Sequence, residues 1–340
     1  MTPECPLRCR YCYNVWKAPG AAPADPAPLD VRAVAEAVAG ARPSTVTLTG
    51  GEPLLVEDLP HLAAFLSSRG ILTGVATSGL LLDRRKAEDL VRSGVRRFEI
   101  HLPAADPEAY RRSAGVDGFT RAKAAMLAVV ASGAGLTVSH VMTGGNRGEV
   151  SGVIELAFAL GAGAVALNRF VPGGEGLRHA EELTPTPEEL PRILSEAGEA
   201  ARRFPVPVHV TIPVEDCLLP HDRHPGLNFT GCRCGREKWA VDPRGGLRTC
   251  EQNPEVLGSL LDRSFADLAD LPAARRFRGA VRFPACEGCS AFPDCGGGCR
   301  IAHSGTAASP PATREGMVSS PGLQTRQSRP TDTTPPARER

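Results

Sequence analysis

The sequence has no apolar run approaching the ~20 residues that a membrane-spanning helix needs, and no apolar stretch of a secretion signal opens it. It also lacks an excess of charge of either sign. Thirty-nine basic and 38 acidic side chains leave a net charge of +1, which argues against a nucleic-acid binder that works through a bulk basic surface. Cysteine is too sparse for a disulfide scaffold, with eleven residues in 340, against the ~8–10% of small stapled domains. The expected compartment is therefore the reducing cytoplasm, where clustered cysteines bind metal or do chemistry, with neither a membrane nor a nucleic acid as partner. The remaining composition is that of a globular protein, 42% hydrophobic and 23% charged. That suffices for a sizeable core in one large α/β domain with an appendage, or in two domains.

Short β-branched runs at 45–49, 71–77, 95–102, 136–142, 164–170 and 206–212 alternate with segments of helical periodicity at 58–69, 83–93, 119–132, 149–160 and 187–203. Thr186, Pro187 and Glu189 read as the N-cap, first-turn proline and third-position acid of a capping box, and Gly94 and Gly133 suit the position just past a helix end. This alternation predicts parallel βαβ units, in a barrel or a doubly wound sheet, with the chemistry at the carboxyl ends of the strands. Periodicity stops near Pro213. Residues 214–304 hold eight of the eleven cysteines, which suggests a small domain stitched by metal. From 305 to 340 the composition shifts to Ser, Thr, Pro, Arg and Gly, and reads as a disordered tail.

Cys5, Cys9 and Cys12 share one short loop, with Tyr11 directly before the last. Three thiolates so placed can ligate three irons of a cubane cluster and leave the fourth iron open, and an open coordination position separates a catalytic metal from a structural one. A zinc loop is the competing reading. Zinc wants four closed ligands, and no fourth Cys or His lies in the first forty residues.

With the rest of the core in view, the chain resembles the radical S-adenosylmethionine (SAM) superfamily, which is marked by a triple cysteine with an aromatic residue before the last. A second mark, the GGEP loop, matches Thr49-Gly50-Gly51-Glu52-Pro53 after the first candidate strand. The resemblance implies that Gly50, Gly51, Glu52 and Pro53 hold the amino group of the bound methionine moiety and that Tyr11 packs near the adenine. Thr77-Ser78-Gly79 stands where many members carry Thr-Asn-Gly, so Thr77 and Ser78 are cofactor-binding candidates, with an ordinary strand-end turn as the other reading. Many relatives carry Ser-x-Asp near the ribose where this chain has His101-Leu102-Pro103. His101 is a candidate donor to ribose or carboxylate, or a structural strand histidine. Arg169, in the family-like run Asn168–Gly174, meets the SAM carboxylate or the substrate, or forms a salt bridge inside the barrel. Relatives place a full strand ahead of the first cysteine, whereas four residues precede Cys5 here. Either the first strand is missing or the start codon is placed late. The expected architecture is α/β: a partial (β/α)6 TIM-like barrel over 1–213, its first strand missing or truncated, with a small Cys-rich domain over 214–304.

Cys286, Cys289, Cys295 and Cys299 read C-x2-C-x5-C-x3-C, and Cys232, Gly245 and Cys250 read C-x12-G-x4-C. Together they resemble the SPASM extension of peptide- and protein-maturing radical SAM enzymes, and paired zinc ribbons are the alternative. The resemblance implies that Cys232, Cys250 and Cys299, with Cys217 as an added candidate, hold a first auxiliary cluster, and that Cys286, Cys289 and Cys295 hold a second. The usual fourth ligand of the second is a cysteine beyond Cys299, and this sequence has none. Cys234, His303, an open iron or an altered carboxyl end are the alternatives.

The implied cofactors are a [4Fe–4S] cluster with exchangeable SAM and one or two auxiliary iron–sulfur clusters, fed by a low-potential donor of flavodoxin or ferredoxin type. The implied reaction is reductive cleavage of SAM to a 5′-deoxyadenosyl radical that abstracts hydrogen from the substrate, with no single side chain assigned as catalytic. Oxidative maturation of a ribosomal peptide or protein is the leading expectation. The alternatives are radical modification of a small molecule and a non-catalytic zinc- or iron-binding module, separable by iron and sulfide analysis.

Overall fold

The computed structural model describes residues 1–21, 30–279 and 284–302; His303 and the 305–340 tail lie outside them. Seven strands form one sheet in chain order, β1 Thr45–Leu48, β2 Leu72–Thr77, β3 Val95–His101, β4 Gly135–Met142, β5 Ala164–Arg169, β6 Val208–Val210 and β7 Asn228–Phe229. Every neighbouring pair is parallel. A sequential order with no reversal point is the order of a barrel wall and not of a doubly wound sheet, which settles the choice left open by periodicity. Among the described residues β1 pairs only with β2, so the wall is a partial barrel.

Helix α1 Val31–Gly40 precedes the sheet. The crossovers are α2 Leu59–Ser67, α3 Arg84–Arg92, the pair α4 Pro107–Ala114 and α5 Phe119–Ala131, α6 Val150–Ala159, and the pair α7 Ala180–Leu183 and α8 Glu189–Arg203. The capping box forms as the sequence predicts: Glu189 N–H donates to Thr186 Oγ1 at 3.2 Å and Thr186 N–H donates to Glu189 Oε2 at 3.0 Å. Gly94 and Gly133 follow the caps of α3 and α5 with φ of 98° and 77°, the left-handed region that glycine enters at little cost. Between sheet and helices the core is fully closed, with Phe98, Ile100, Leu102, Met126, Met142, Ile154, Leu167 and Leu194 shut from solvent.

Helices α1 and α4 and strand β7 have no counterpart among the periodic segments. α1 buries no side chain fully, so its alanines and valines carry little contrast between faces. α4 has every stop signal, with Asp106 accepting from Ala109 N–H and Gly115 at the left-handed end, but eight residues are too few for a clear period. Two residues of β7 carry none, yet they extend the sheet past residue 213 to Phe229.

Beyond it, β8 Ala240–Val241, β9 Gly246–Arg248 and β10 Gly258–Ser259 make a small antiparallel sheet. It is backed by α9 Phe265–Ala269 and α10 Pro272–Arg278, and Leu247, Leu260 and Leu268 form its core. The short α11 Phe292–Cys295 lies in the last cysteine run. Among the described residues no helix is long and apolar enough to cross a membrane.

Candidate functional site

The first fourteen residues run over the carboxyl ends of the strands and are fastened there by backbone hydrogen bonds. The Met1 amine donates to Thr49 O at 2.9 Å, Gly51 N–H to Thr2 O at 2.5 Å and Glu52 N–H to Glu4 O at 2.6 Å. Farther along, Arg8 N–H donates to Ala114 O at 2.9 Å and Gly176 N–H to Cys12 O at 3.2 Å. The cysteine loop is thus held by the GGEP loop, the end of α4 and the loop after β5. The contact with GGEP is too close for any side chain: a Cβ on Gly51 would sit 2.0 Å from the Glu4 carbonyl oxygen. At the far side a Cβ on Gly174 would lie 2.6 Å from Cys12 O. Arg10 ties the loop's outer face to Glu182 at 2.7 Å and to His179 Nδ1 at 3.0 Å.

Glu52 is fully buried and knots the two predicted cofactor segments together. Its Oε1 accepts from Thr77 Oγ1 at 2.6 Å and Leu54 N–H at 3.2 Å, and its Oε2 from Ser78 N–H at 2.9 Å and Ser78 Oγ. A carboxylate with both oxygens so occupied has little capacity left for a ligand. Glu52 therefore sets the relative position of the β1 and β2 ends.

Tyr11 is buried under the loop, its hydroxyl 2.7 Å from His101 Nε2. His101 Nδ1 lies 3.1 Å from the Ser139 carbonyl, so it carries the ring proton and Nε2 accepts from Tyr11. Burial pushes His101 down to about 4 and keeps it neutral. Both ring nitrogens of His101 are spoken for, which makes it a support for Tyr11. Arg169 likewise forms the salt bridge inside the barrel, bidentate to Glu215 at 2.7 and 3.1 Å, with both side chains buried.

The charges of Cys5 and Cys12 both reach the Cys9 thiol, and burial pushes that thiol up to about 12 against a hydrogen bond with Tyr11. A thiol in that condition keeps its proton at neutral pH, and only a cation that displaces the proton makes it a ligand. The surroundings suit such a group: three thiols share one short loop, with Tyr110 on α4 nearby. Tyr110 is fully shut from solvent, its hydroxyl has no hydrogen-bond partner among the described residues, and the charges of Cys9, Cys5 and Glu52 reach it. Sequence reasoning missed Tyr110, since an aromatic on a short helix looks like core; the orphan hydroxyl is the signal, and it exists only in three dimensions.

His140 on β4 is a buried group of another kind. Its Nδ1 lies 3.0 Å from Leu102 O, its Nε2 has no partner among the described residues, and burial lowers it from 6.5 to about 4. Above pH 6.5 both folded and unfolded chains leave it neutral. Below that, the unfolded chain takes the proton first, so stability drains away between pH 6.5 and about 4. At ~1.4 kcal/mol per pK unit the loss approaches roughly 3 kcal/mol. Denaturant midpoints measured across this range are expected to fall with pH in the wild type and to fall less in His140→Asn, whose amide replaces the bond to Leu102.

Among the remaining cysteines, those near Cys250 are drawn together most closely. Cys234 hydrogen-bonds both Cys232 and Cys250, and a ligand atom each from Cys234, Cys250 and Glu251 lies within 4.8 Å of the others. The bond from Cys234 holds the Cys232 thiol well below its ordinary value. Cys299 is buried within reach of the Cys250 charge and of Arg169. Cys234 thus joins Cys232, Cys250 and Cys299. The charges of Cys295, Glu215 and Cys286 reach Cys217, the added candidate for that group. It lies in a turn closed by Leu218 N–H and Leu219 N–H on Glu215 O at 2.9 and 3.0 Å, and Glu215 is anchored on Arg169. Tyr13, one residue past Cys12, is reached by the charges of Glu251 and Lys238 and by that of Cys12. Lys238 and Glu251 pair at 2.6 Å.

Residues 1–157 match the family model described as the Radical SAM superfamily, and residues 232–295 the one described as an iron–sulfur cluster-binding domain, SPASM. The PqqA peptide cyclase of Methylocella silvestris is 30% identical over 313 residues, covering 88% of this chain and 81% of the relative. Among solved structures, anSMEcpe with bound AdoMet superposes with a TM-score of 0.68 at 16% identity, covering 88% of this chain and 84% of that one. Streptococcus suis SuiB bound to precursor peptide SuiA gives 0.67 at 14% identity, covering 88% and 70%. At that identity the two structures speak for the fold.

Proposed function

The chain belongs to the radical SAM superfamily and carries a SPASM domain, and from that membership we propose that it matures a ribosomally made peptide by oxidation at unactivated carbon. Its cofactors are a [4Fe–4S] cluster with exchangeable SAM and auxiliary iron–sulfur clusters. When bound, they supply reductive cleavage of the sulfonium and hydrogen abstraction from an unreactive C–H bond. Cys5, Cys9 and Cys12 hold the SAM-binding cluster. Gly50, Gly51 and Pro53 line the seat of the methionine moiety, which Glu52 fixes by gripping Thr77 and Ser78. Tyr11, oriented by His101, packs beneath the loop beside Cys9, and Tyr110 keeps a buried hydroxyl near the same thiols. Cys232, Cys234, Cys250 and Cys299 hold an auxiliary cluster, and Arg169 with Glu215 braces the strand end beside Cys299. Electrons enter from a low-potential donor of flavodoxin or ferredoxin type.

The observation that carries this reading is the partly exposed Tyr13, one residue past Cys12, which the charges of Glu251 and Lys238 beside Cys250 also reach. A substrate there meets both the hydrogen-abstracting centre and an auxiliary electron acceptor, which is what a net oxidation requires. A peptide is favoured because the relative covered to 81% of its length is named a peptide cyclase, and a fold neighbour was captured with its precursor peptide.

The test is anaerobic reconstitution, reduction and incubation with SAM and synthetic precursors encoded beside its gene. The expected products are 5′-deoxyadenosine and a peptide lighter by a hydrogen pair for each bond formed. Unchanged peptides, with SAM turnover driven instead by a small molecule, overturn the peptide assignment. Zinc without sulfide in the purified protein overturns the enzyme.

A further inference from the structure

Two backbone turns of the small domain bring two sulfurs and a carboxylate to one place. Cys234 sits in a tight turn where Arg236, Glu237 and Lys238 N–H all donate to Arg233 O, at 3.2, 3.0 and 3.1 Å, and Gly235 N–H donates to Lys238 O at 2.9 Å. Gly235 packs on the limb that carries Cys250: a Cβ there would lie 3.5 Å from Thr249 Cβ. That limb leaves β9 through the fully buried Thr249 and closes with Asn253 N–H on Cys250 O at 3.0 Å and Asn253 Nδ2–H on Thr249 Oγ1 at 2.8 Å. A ligand atom each from Cys234, Cys250 and Glu251 then lies within 4.8 Å of the other two. No other three such donors gather as closely among the described residues.

The chemistry of this set suits a divalent transition metal. With metal–sulfur bonds of about 2.3 Å and metal–oxygen bonds of about 2.1 Å, a tetrahedral site puts sulfur and oxygen about 3.6 Å apart and two sulfurs about 3.8 Å apart. Cys250 Sγ and Glu251 Oε2 already stand at 3.6 Å, and the other edges have at most about 1 Å to close. Lys238 Nζ holds Glu251 Oε1 at 2.6 Å, which leaves Oε2 toward Cys250. Outer hydrogen bonds of this kind orient a carboxylate ligand. Two thiolates and a carboxylate against one ammonium leave two negative charges, which one divalent cation cancels. Calcium and magnesium take oxygen ligands, so a site with two sulfurs disfavours them. In the same turn, Gln252 Oε1 is shut from solvent without a partner among the described residues, an orphan of the kind that a bound ion or its water satisfies.

We propose that Cys234, Cys250 and Glu251 form the entry site at which a single divalent iron first binds the small domain, with Glu251 as its oxygen ligand and Lys238 as the residue that positions Glu251. Only the identity of the metal as iron rests on the reading of this domain as a cluster carrier. Iron enters as Fe2+ with no change of oxidation state, and the two thiol protons it displaces go to solvent.

The test titrates the full chain, stripped of metal and kept reduced and anaerobic, with Co2+. Its thiolate-to-cobalt charge-transfer bands report the number of sulfur ligands. The first equivalent is expected to show two thiolates in the wild type and in Cys9→Ala, and to bind at least tenfold more weakly in Glu251→Gln and Cys250→Ser. On reconstitution at limiting iron, Glu251→Gln is expected to fill more slowly and to reach the wild-type iron and sulfide content, because four thiols complete the cluster without it. Glu251 is partly exposed and glutamine keeps its size, so this variant decides the matter if Cys250→Ser fails to fold. An unchanged first equivalent in Glu251→Gln, or its loss in Cys9→Ala, overturns the entry site. A two-thiolate cobalt site that responds to Glu251→Gln, in a chain that takes up no sulfide, overturns the cluster reading and leaves the divalent site in place.

Discussion

Cys9→Ala is expected to reduce 5′-deoxyadenosine formation to background and to remove about one-third of the iron, while Cys286→Ala leaves uncoupled SAM cleavage at least partly intact and stops peptide product. The division follows from where the two thiols sit. Cys9 is buried beside Tyr11 in a loop held by backbone bonds to Gly51, Glu52, Ala114 and Gly176, so the alanine leaves no spare sulfur there beyond Cys5 and Cys12, which are already committed. Cys286 belongs to the last cysteine run, which shares no ligand with that loop. What it shares is the Arg169–Glu215 brace, through Gly298, and that brace stays when one thiol at the far side is removed. Release of 5′-deoxyadenosine without peptide therefore reads the first centre alone, and peptide mass reads all of them. Equal and complete loss of uncoupled cleavage in both variants contradicts this separation.

The barrel was legible because strand and helix periodicity changes at every crossover, and because the capping box at Thr186–Glu189 and the glycines after α3 and α5 are local chemistry that tertiary packing did not override. The triple cysteine and the GGEP loop were legible for a related reason. Both are short and contiguous, and their spacing is the geometry. The hydrogen bonds of Glu52 to Thr77 and Ser78 join two such motifs, and each was identified separately. What stayed hidden depends on long-range pairing. His101 and Arg169 each had two readings in the sequence, and only the positions of Ser139, Tyr11 and Glu215 decide between them. The approach of Cys234 to Cys250 and Glu251 was hidden for the same reason, since only the fold brings residues sixteen positions apart to one place. Tyr110 and His140 were missed altogether, because a buried polar atom without a partner is a property of the folded interior and leaves no pattern in the sequence.

Gly51→Ala is expected to cost the protein both its SAM-binding cluster and its response to SAM. The new methyl would stand 2.0 Å from the Glu4 carbonyl, and no rotation relieves a clash between a Cβ and a backbone atom. The Thr2–Glu4 segment has to move away, breaking the bonds from Gly51 N–H and Glu52 N–H, and Cys5 is the next residue to be displaced. The cost exceeds the ~1–3 kcal/mol of ordinary overpacking, because backbone moves on both sides. Gly133→Ala provides the control: φ is positive there, but no atom lies within 4 Å of the new methyl, so it pays only the ~1–2 kcal/mol of a left-handed residue. Glu52→Gln is the milder probe of the same corner. Whichever oxygen becomes an amide, a donor replaces an acceptor: Ser78 N–H is stranded at one position and Leu54 N–H at the other, at roughly 1–3 kcal/mol for the buried group left unpaired. Iron is then retained while the SAM-induced spectral change weakens, because the cysteine loop stays pinned and only the seat beside it shifts. The expected order is loss of cluster and SAM response in Gly51→Ala, loss of SAM response alone in Glu52→Gln, and neither in Gly133→Ala. Full iron and a wild-type SAM response in Gly51→Ala contradict the contact between the two loops on which the whole site is built.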